Sequence, residues 1–230
     1  MKKFWNWVKN EDGRTLYFDG YIAQDSWFDD DITPRKFKDE LNSGDGDIAV
    51  WLNSPGGDVF AASQIYTMLK EYKGKVTVKI DGLAASAASV IAMAGDEIVM
   101  SPTACIMIHN PATVIFGEAA DFASGIKMLS EVKESIINAY EQRTGLPRGK
   151  ISNMMDAETW FSAQKAVEMG FADKILYAPD AQDAAEGFIF DRLTVTNAFL
   201  RKLPREKEKP QAALAGTPHK ELLTRLELLK

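Results

Sequence analysis

Between residues 15 and 177 the sequence alternates short runs rich in β-branched and aromatic residues with stretches of helical periodicity. This alternation is typical of a layered α/β fold, in which helices pack on a sheet. The strands are predicted at residues 15–22, 48–52, 76–80, 97–100, 105–108 and 174–177. Since 46% of the 230 residues are apolar, the chain can fill one substantial core. We therefore predict a single α/β domain over residues 1–178, followed by a linker and mobile tail over residues 179–230.

Three helices are predicted from cap residues and from the spacing of apolar side chains. One begins at Pro34, because Thr33 is a suitable N-cap and proline is favoured in the first turn. A second covers residues 60–72, with apolar side chains on one face. The third covers residues 118–142 and ends at Gly145, since glycine is common just after a helix.

The third helix is long for a domain of this size. Its apolar stripe consists of Phe122, Ile126, Leu129, Ile136 and Tyr140. At about 1.5 Å per residue it spans nearly 40 Å, which is as wide as the whole domain. We therefore expect part of this helix to protrude and to bury its stripe against another subunit.

Charge and cysteine content exclude several classes of function. The net charge is −6 and no block of five like charges occurs, which argues against a nucleic-acid-binding surface. One cysteine, Cys105, cannot form an internal disulfide framework, and with only two histidines no zinc site is predicted. The sequence has neither the apolar region of a secretory signal nor a membrane-spanning segment. We expect a cytoplasmic protein.

Three segments concentrate residues that are able to carry out chemistry. They are the sequences Asn-Ser-Pro-Gly-Gly-Asp at 53–58, Asp-Gly-Leu-Ala-Ala-Ser-Ala-Ala-Ser at 81–89 and Met-Ile-His-Asn-Pro at 107–111. Each follows or closes a predicted strand. Because ligands bind beyond the carboxyl ends of strands in open α/β sheets, we expect these segments to meet in one crevice.

Ser86 and His109 are the candidate nucleophile and base. Ser86 lies at a strand-to-helix junction among small alanines, where a serine is either an accessible nucleophile or merely a helix N-cap. A serine nucleophile needs a base, most often histidine. His219 falls in the predicted tail, so His109 is the candidate, although a structural histidine is the alternative.

Backbone amides near Ser86 are candidates for stabilising a developing negative charge. In the Pro-Gly-Gly turn, Gly57 can direct its N–H toward a neighbouring site with no side chain in the way. Ala87 directly follows Ser86 at the same strand-to-helix junction. Gly57 and Ala87 are thus candidate oxyanion-hole donors. The same turn could instead be an ordinary turn or could hold a phosphate.

Four motifs of this chain resemble those of the ClpP family, the proteolytic subunits of Clp-type serine proteases, in its phage or prophage branch. The motifs lie at residues 53–57, 82–86, 107–111 and 160–163, the last followed by Gly-Phe-Ala-Asp at 170–173. They occur in the family's order and with near-family spacing over residues 16–176.

The resemblance implies a crotonase-like, ClpP-like α/β fold assembled into rings, usually heptameric, whose long helix packs between facing rings. It implies Ser86 as the acylating nucleophile, His109 as the base and then the acid, and the amides of Gly57 and Ala87 as the oxyanion hole. No cofactor is needed. Polypeptides would be the substrates, phage capsid or scaffold proteins among them, and an AAA+ ATPase ring is a possible partner.

The third member of the triad is where the sequence departs from the family pattern. The family's spacing from His109 reaches Glu158, where an aspartate is usual, and Asp156 lies two residues earlier. Either carboxylate could orient the imidazole and stabilise its cation. The ungapped spacing from His109 favours Glu158, and both residues remain candidates for the third position.

Two other interpretations of the function also stay open. One is a crotonase-fold enzyme acting on acyl-CoA, and the other is a non-catalytic assembly or scaffold protein.

Overall fold

The structure is a computed structural model that describes residues 5–10, 13–23 and 34–177. Thr33, His219 and the predicted linker and tail at 179–230 lie outside the described residues. The described part is a mixed α/β structure, as the alternation in the sequence predicts.

One sheet organises the structure, and eight strands belong to it within the described residues. The strands are β1 (Trp5–Asn10), β2 (Gly13–Asp19), β3 (Ile48–Ser54), β4 (Val76–Ala85), β5 (Glu97–Met100), β6 (Cys105–Ile108), β7 (Thr159–Ser162) and β8 (Lys174–Ile175). The main path runs β1-β2-β3-β4-β5-β8, with β6 pairing to β4 and β7 pairing to β6. Only the β1–β2 and β6–β7 pairs are antiparallel among these strands.

The helices connect the parallel strands, as parallel pairing requires. They are α1 (Pro34–Leu41), α2 (Val59–Lys70), α3 (Ala87–Ala92), α4 (Ala119–Thr144), α5 (Arg148–Asp156) and α6 (Ala163–Glu168). Alternate side chains of β3 are buried, and its core residues Val50 and Leu52 belong to the same apolar cluster as Ile65 and Leu69 of α2. This burial of apolar surface is the main stabilising contribution to such a fold.

Strand β4 changes partners along its length, and this change brings two of the candidate segments together. Residues 77–80 pair with β5, whereas residues 83–85 pair with β6. Near this point Gly82 lies against Asn53 so closely that a Cβ atom would be 2.6 Å from the Asn53 side-chain oxygen. The second pairing brings the carboxyl end of β4 beside the carboxyl end of β6.

The long helix is present close to its predicted bounds. Glu118 is its N-cap and forms a capping box with Asp121, and Gly145 ends it at φ 66°, in the left-handed region. The exposed fraction of its stripe changes along the helix: 48% for Phe122, 69% for Ile126, 6% for Ile136 and 1% for Tyr140. The second half of the stripe therefore packs in the core, and the first half faces outward in the isolated chain.

Several bounds differ from prediction. Strand β4 continues to Ala85 instead of ending at residue 80, because residues 83–85 gain a new partner in β6. Helix α2 covers Val59–Lys70 instead of the predicted residues 60–72. Among the helices in the described residues, none combines the length and apolarity needed to cross a membrane.

Candidate active site

Ser86 and His109 lie within hydrogen-bond distance of each other. The Oγ atom of Ser86 is 2.7 Å from the Nε2 atom of His109. Ser86 follows β4 and His109 follows β6, so the pairing of these two strands brings the side chains together. The backbone N–H of Ser86 also donates to the carbonyl oxygen of Met107, at 2.9 Å. The segments at 81–89 and 107–111 therefore meet at this pair, as expected from the sequence.

The backbone of Ser86 is strained. Its φ of 54° and ψ of −127° are unusual for a residue with a side chain and commonly mark functional sites. The N-cap alternative fails on one point, because the Ser86 side chain makes no capping hydrogen bond to α3. Its hydroxyl instead faces His109.

The start of α3 is linked by hydrogen bonds to the long helix α4. Ser89 Oγ donates to the carbonyl oxygen of Ser86 at 2.6 Å, and it lies 2.7 Å from the Tyr140 hydroxyl. Since the single Ser89 proton is used toward Ser86, the Tyr140 hydroxyl donates to Ser89. Tyr140 is buried in α4, and burial raises the pKa of its hydroxyl, which stays protonated.

The Pro-Gly-Gly turn packs directly against Ser86. A Cβ atom at Gly56 would lie 2.8 Å from the Ser86 Cβ and 3.1 Å from the Ala87 backbone nitrogen. Gly56 also has a φ of 98°, which favours glycine. This close approach makes Gly56 a site residue that the sequence analysis did not single out.

The two candidate oxyanion donors follow the two contacting residues in the sequence, since Gly57 comes after Gly56 and Ala87 comes after Ser86. Gly57 forms a parallel bridge with Ile22, in which Ile22 bonds to the Gly56 carbonyl and to the Asp58 N–H. The N–H of Gly57 itself therefore points away from Ile22. Ala87 is the first residue of α3, and the first N–H groups of a helix have no acceptor within it.

The electrostatic environment of His109 keeps its imidazole neutral near pH 7. Burial lowers the pKa of His109, and the negative charge of Glu158 opposes this by raising it. No hydrogen bond joins Glu158 to His109 among the described residues, so the interaction between them acts through space. Glu158 has a φ of 49°, in the left-handed region, in the turn between α5 and β7.

Asp156 makes different contacts from Glu158. Its Oδ1 atom accepts hydrogen bonds from the Asn110 side-chain amide and from Lys133 Nζ, both at 2.7 Å. These donors lower the pKa of the Asp156 carboxyl. Asp156 therefore binds Asn110, the residue that follows His109 in the sequence.

Cys105 also lies on β6, and burial raises the pKa of its thiol. A raised pKa leaves little thiolate near pH 7, so this thiol is a poor nucleophile. Among the described residues no group of three or more His, Cys, Asp or Glu side chains could hold a metal ion.

A family model described as Clp protease matches residues 32–179. The chain belongs to the Clp protease family. It is accordingly a serine-type endopeptidase, and its mixed α/β architecture is consistent with the Clp protease fold.

Among its relatives is the ATP-dependent Clp protease proteolytic subunit 1 of Chlamydia muridarum, 36% identical over 143 residues, which are 60% of this chain and 74% of the relative. The protein of the same name from Chlamydia caviae is 31% identical over 173 residues, which are 74% of this chain and 90% of the relative. The proteolytic subunit of Porphyromonas gingivalis is 33% identical over 132 residues, covering 56% of this chain and 60% of the relative. The Clp protease motifs named above all fall within the matched residues 32–179.

Two site residues besides Gly56 had no clear signal in the sequence. Asn110 belongs to the Met-Ile-His-Asn-Pro motif, yet nothing in the motif indicates what its side chain contacts. Lys133 is an ordinary helix residue in the sequence, and only the packing of α4 against α5 brings it to Asp156.

Proposed function

We propose that Ser86, His109 and Glu158 form the catalytic triad of this Clp-family protease and that the Gly57 and Ala87 amides form its oxyanion hole. The observation that carries the proposal is the 2.7 Å distance between Ser86 Oγ and His109 Nε2. With the imidazole proton on Nδ1, Nε2 accepts the hydroxyl proton of Ser86, as a general base must.

The proposed reaction has two halves. Ser86 Oγ attacks the peptide carbonyl carbon while its proton passes to His109 Nε2, and the carbonyl oxygen becomes negatively charged beside the two amides. The tetrahedral intermediate then breaks its C–N bond, and His109 gives the proton to the leaving amine. In the second half water attacks the acyl-enzyme, His109 takes a proton from it, and the proton returns to Ser86 as the acid product leaves.

Glu158 is the better candidate for the third position. Its charge raises the pKa of His109, which is the effect of a carboxylate that stabilises the imidazolium. Asp156 is already bound to Asn110 and Lys133. The Glu158 carboxylate would form a direct hydrogen bond to Nδ1 only after a local adjustment, as is common for catalytic contacts in unliganded enzymes.

We further infer that copies of the chain assemble through the first half of α4. Exposed apolar side chains cluster in this half of the helix and in the segment that precedes it: Val114, Phe116, Phe122, Ile126 and Met128. Such a patch is typical of a buried interface. We assign the assembly as a ring, with α4 protruding between copies and with the serines enclosed.

The relatives named ATP-dependent support an AAA+ ATPase as a partner that delivers unfolded polypeptides in the cytoplasm. The four motifs of the sequence support a phage or prophage type of subunit, for which capsid and scaffold proteins are the proposed substrates. The proposed substrates can be compared by incubating the assembled protein with capsid proteins, with scaffold proteins and with casein, and measuring the cleavage of each.

Intact-mass measurement after treatment with a fluorophosphonate tests the proposed nucleophile. We expect one adduct per chain, on Ser86, and none in Ser86→Ala. Binding of an acyl-CoA without an adduct would instead favour a crotonase-fold acyl-CoA enzyme. Assembly without an adduct, and with no cleavage of casein or capsid protein, would favour a non-catalytic scaffold.

A further inference from the structure

One carboxylate oxygen joins three elements beside the Ser86–His109 pair. Oδ1 of Asp156, the last residue of α5, accepts from Nδ2 of Asn110 and from Nζ of Lys133, each at 2.7 Å. Asn110 directly follows His109 after β6, and Lys133 lies in the middle of α4. This Asn110–Asp156–Lys133 bridge therefore ties the segment that carries His109 to two helices.

Helix stability does not explain an aspartate at this position. A carboxylate in the last turn faces the negative end of the helix dipole, where a cation is favoured. The ion pair with Lys133 is also weak, because 53% of the Asp156 side chain is exposed and such surface pairs contribute little to stability. What distinguishes Asp156 is its contact with Asn110.

Asn110 depends on this contact for its orientation. An ionised carboxylate only accepts hydrogen bonds, so the Asn110 nitrogen must face Asp156. The Asn110 Oδ1 atom is then buried with no hydrogen-bond partner among the described residues. Leaving a buried acceptor unpaired is unfavourable, so this orientation of the amide is disfavoured at the Asn110 oxygen. The hydrogen bond from Asn110 Nδ2 to Asp156 is therefore what holds the amide in this orientation.

We propose that Asp156 is a positioning residue for His109, acting through Asn110 with Lys133 as a second anchor. This inference rests on the proposed function, in which His109 takes the proton of Ser86. The bridge keeps the backbone at 109–110 in place, and with it the imidazole within reach of Ser86 Oγ. Small displacements of such a pair lower the rate strongly.

A positioning residue and a triad carboxylate differ in what their loss does to His109. Loss of Asp156 lowers the fraction of molecules with an aligned imidazole, and Asp156 is not among the groups that shift the pKa of His109. Loss of Glu158 removes the charge that raises the pKa of His109. The rate should fall in both cases, and only the second should move the pKa seen in the rate.

The test uses steady-state hydrolysis of a small peptide ester by the full chain. We expect Asp156→Ala and Asn110→Ala each to lower kcat about 10- to 100-fold with little change in KM or in the kinetic pKa. The double variant should be no slower than either single one, because both remove the same contact. Asp156→Asn should keep most of the activity, since its amide oxygen can accept both bonds.

Glu168→Ala is the matched control, because Glu168 is an exposed carboxylate paired with Lys165 in α6. It should leave kcat unchanged. Sedimentation velocity checks that each variant assembles. Should Asp156→Ala not assemble, Asn110→Ala carries the test, since it leaves the Asp156–Lys133 pair intact.

Three results would overturn the inference: an unchanged kcat in Asp156→Ala, additive losses in the double variant, or a lowered kinetic pKa in Asp156→Ala. The last would place Asp156 in the triad. Failure of the proposed function has a different signature, since the unsubstituted chain would then acquire no fluorophosphonate adduct on Ser86, and both proposals would fall.

Discussion

The α-carbon of Gly56 lies so close to Ser86 that a Cβ atom added to it would be 2.8 Å from the Ser86 Cβ and 2.7 Å from the carbonyl oxygen of Ala85. Both neighbours are parts of the strained strand-to-helix turn that carries the proposed nucleophile. The Pro-Gly-Gly turn and the serine turn are therefore packed against each other with no space for a side chain between them.

Substitution Gly56→Ala should therefore inactivate the enzyme. The new methyl group must displace the Ser86 turn, and φ of 98° strains alanine as well. We expect the rate of fluorophosphonate labelling to fall at least about 100-fold, and the free energy of unfolding to fall by about 1–3 kcal/mol.

Gly149→Ala is the control, because Gly149 is in α5 and a Cβ atom added to it would have no other atom within 4 Å. Alanine favours helix over glycine, so the stability of this variant should be unchanged or higher. Labelling of Gly56→Ala at the rate of the unsubstituted chain would show that the packing of the two turns does not matter for Ser86.

The pH dependence of kcat/KM should follow the ionisation of His109. A base must be neutral, so activity should rise with pH through the pKa of His109, which burial holds below its ordinary value of 6.5. Glu158→Gln removes the charge that raises this pKa, so the midpoint should move to lower pH. The rate at the plateau should fall by about 10²- to 10⁴-fold, as for loss of a triad carboxylate.

Measurement of kcat/KM for a peptide ester at roughly ten pH values between about 4.5 and 9 checks both expectations. Asp96→Asn is a suitable control, because Asp96 is an exposed carboxylate at the opposite end of the strands, where it binds the N–H of Val76. A midpoint in Glu158→Gln at the same or higher pH would contradict the assignment of Glu158.

The sequence predicted the strands that alternate clearly or have strong β-forming residues, such as β5 and β6, whose bounds are as expected. It did not predict β1, because the run Trp-Asn-Trp-Val-Lys-Asn becomes a strand only through pairing with β2. Helix α5 was also missed, since Ile151 and Met155 are its only buried residues in the structure. Two apolar positions give a helical periodicity that is too weak to predict the helix from the sequence.

At the candidate site, local motifs predicted Ser86 and His109 but could not separate Glu158 from Asp156. The two carboxylates are only two residues apart, and their different surroundings arise from the left-handed turn at Glu158. The role of Lys133 depends on a contact 23 residues away in the sequence. Such contacts depend on helix packing, which no local pattern encodes.

The buried bond between Tyr140 and Ser89 should contribute to stability. Tyr140→Phe keeps the ring and removes the hydroxyl that donates to Ser89, so we expect the free energy of unfolding to fall by about 1 kcal/mol. Ser89 retains its own bond to the Ser86 carbonyl, so kcat should change less than it does in Gly56→Ala. Urea unfolding followed by tryptophan fluorescence measures the first effect. Tyr66→Phe is the control, because the Tyr66 hydroxyl makes a solvent-exposed hydrogen bond to Gln142 Oε1.

The exposed half of α4 should control assembly. The double variant Phe122→Asp, Ile126→Asp places two charges in the apolar patch, and burying an unpaired charge in an interface is strongly unfavourable. We expect sedimentation velocity to show the protomer instead of the assembly, while circular dichroism shows an unchanged fold, because neither side chain is part of the core. Gln64→Asp, at an exposed position of α2, should assemble normally. If the double variant sediments as the unsubstituted protein does, the subunits must associate through another surface, and the proposed location of α4 between copies is wrong.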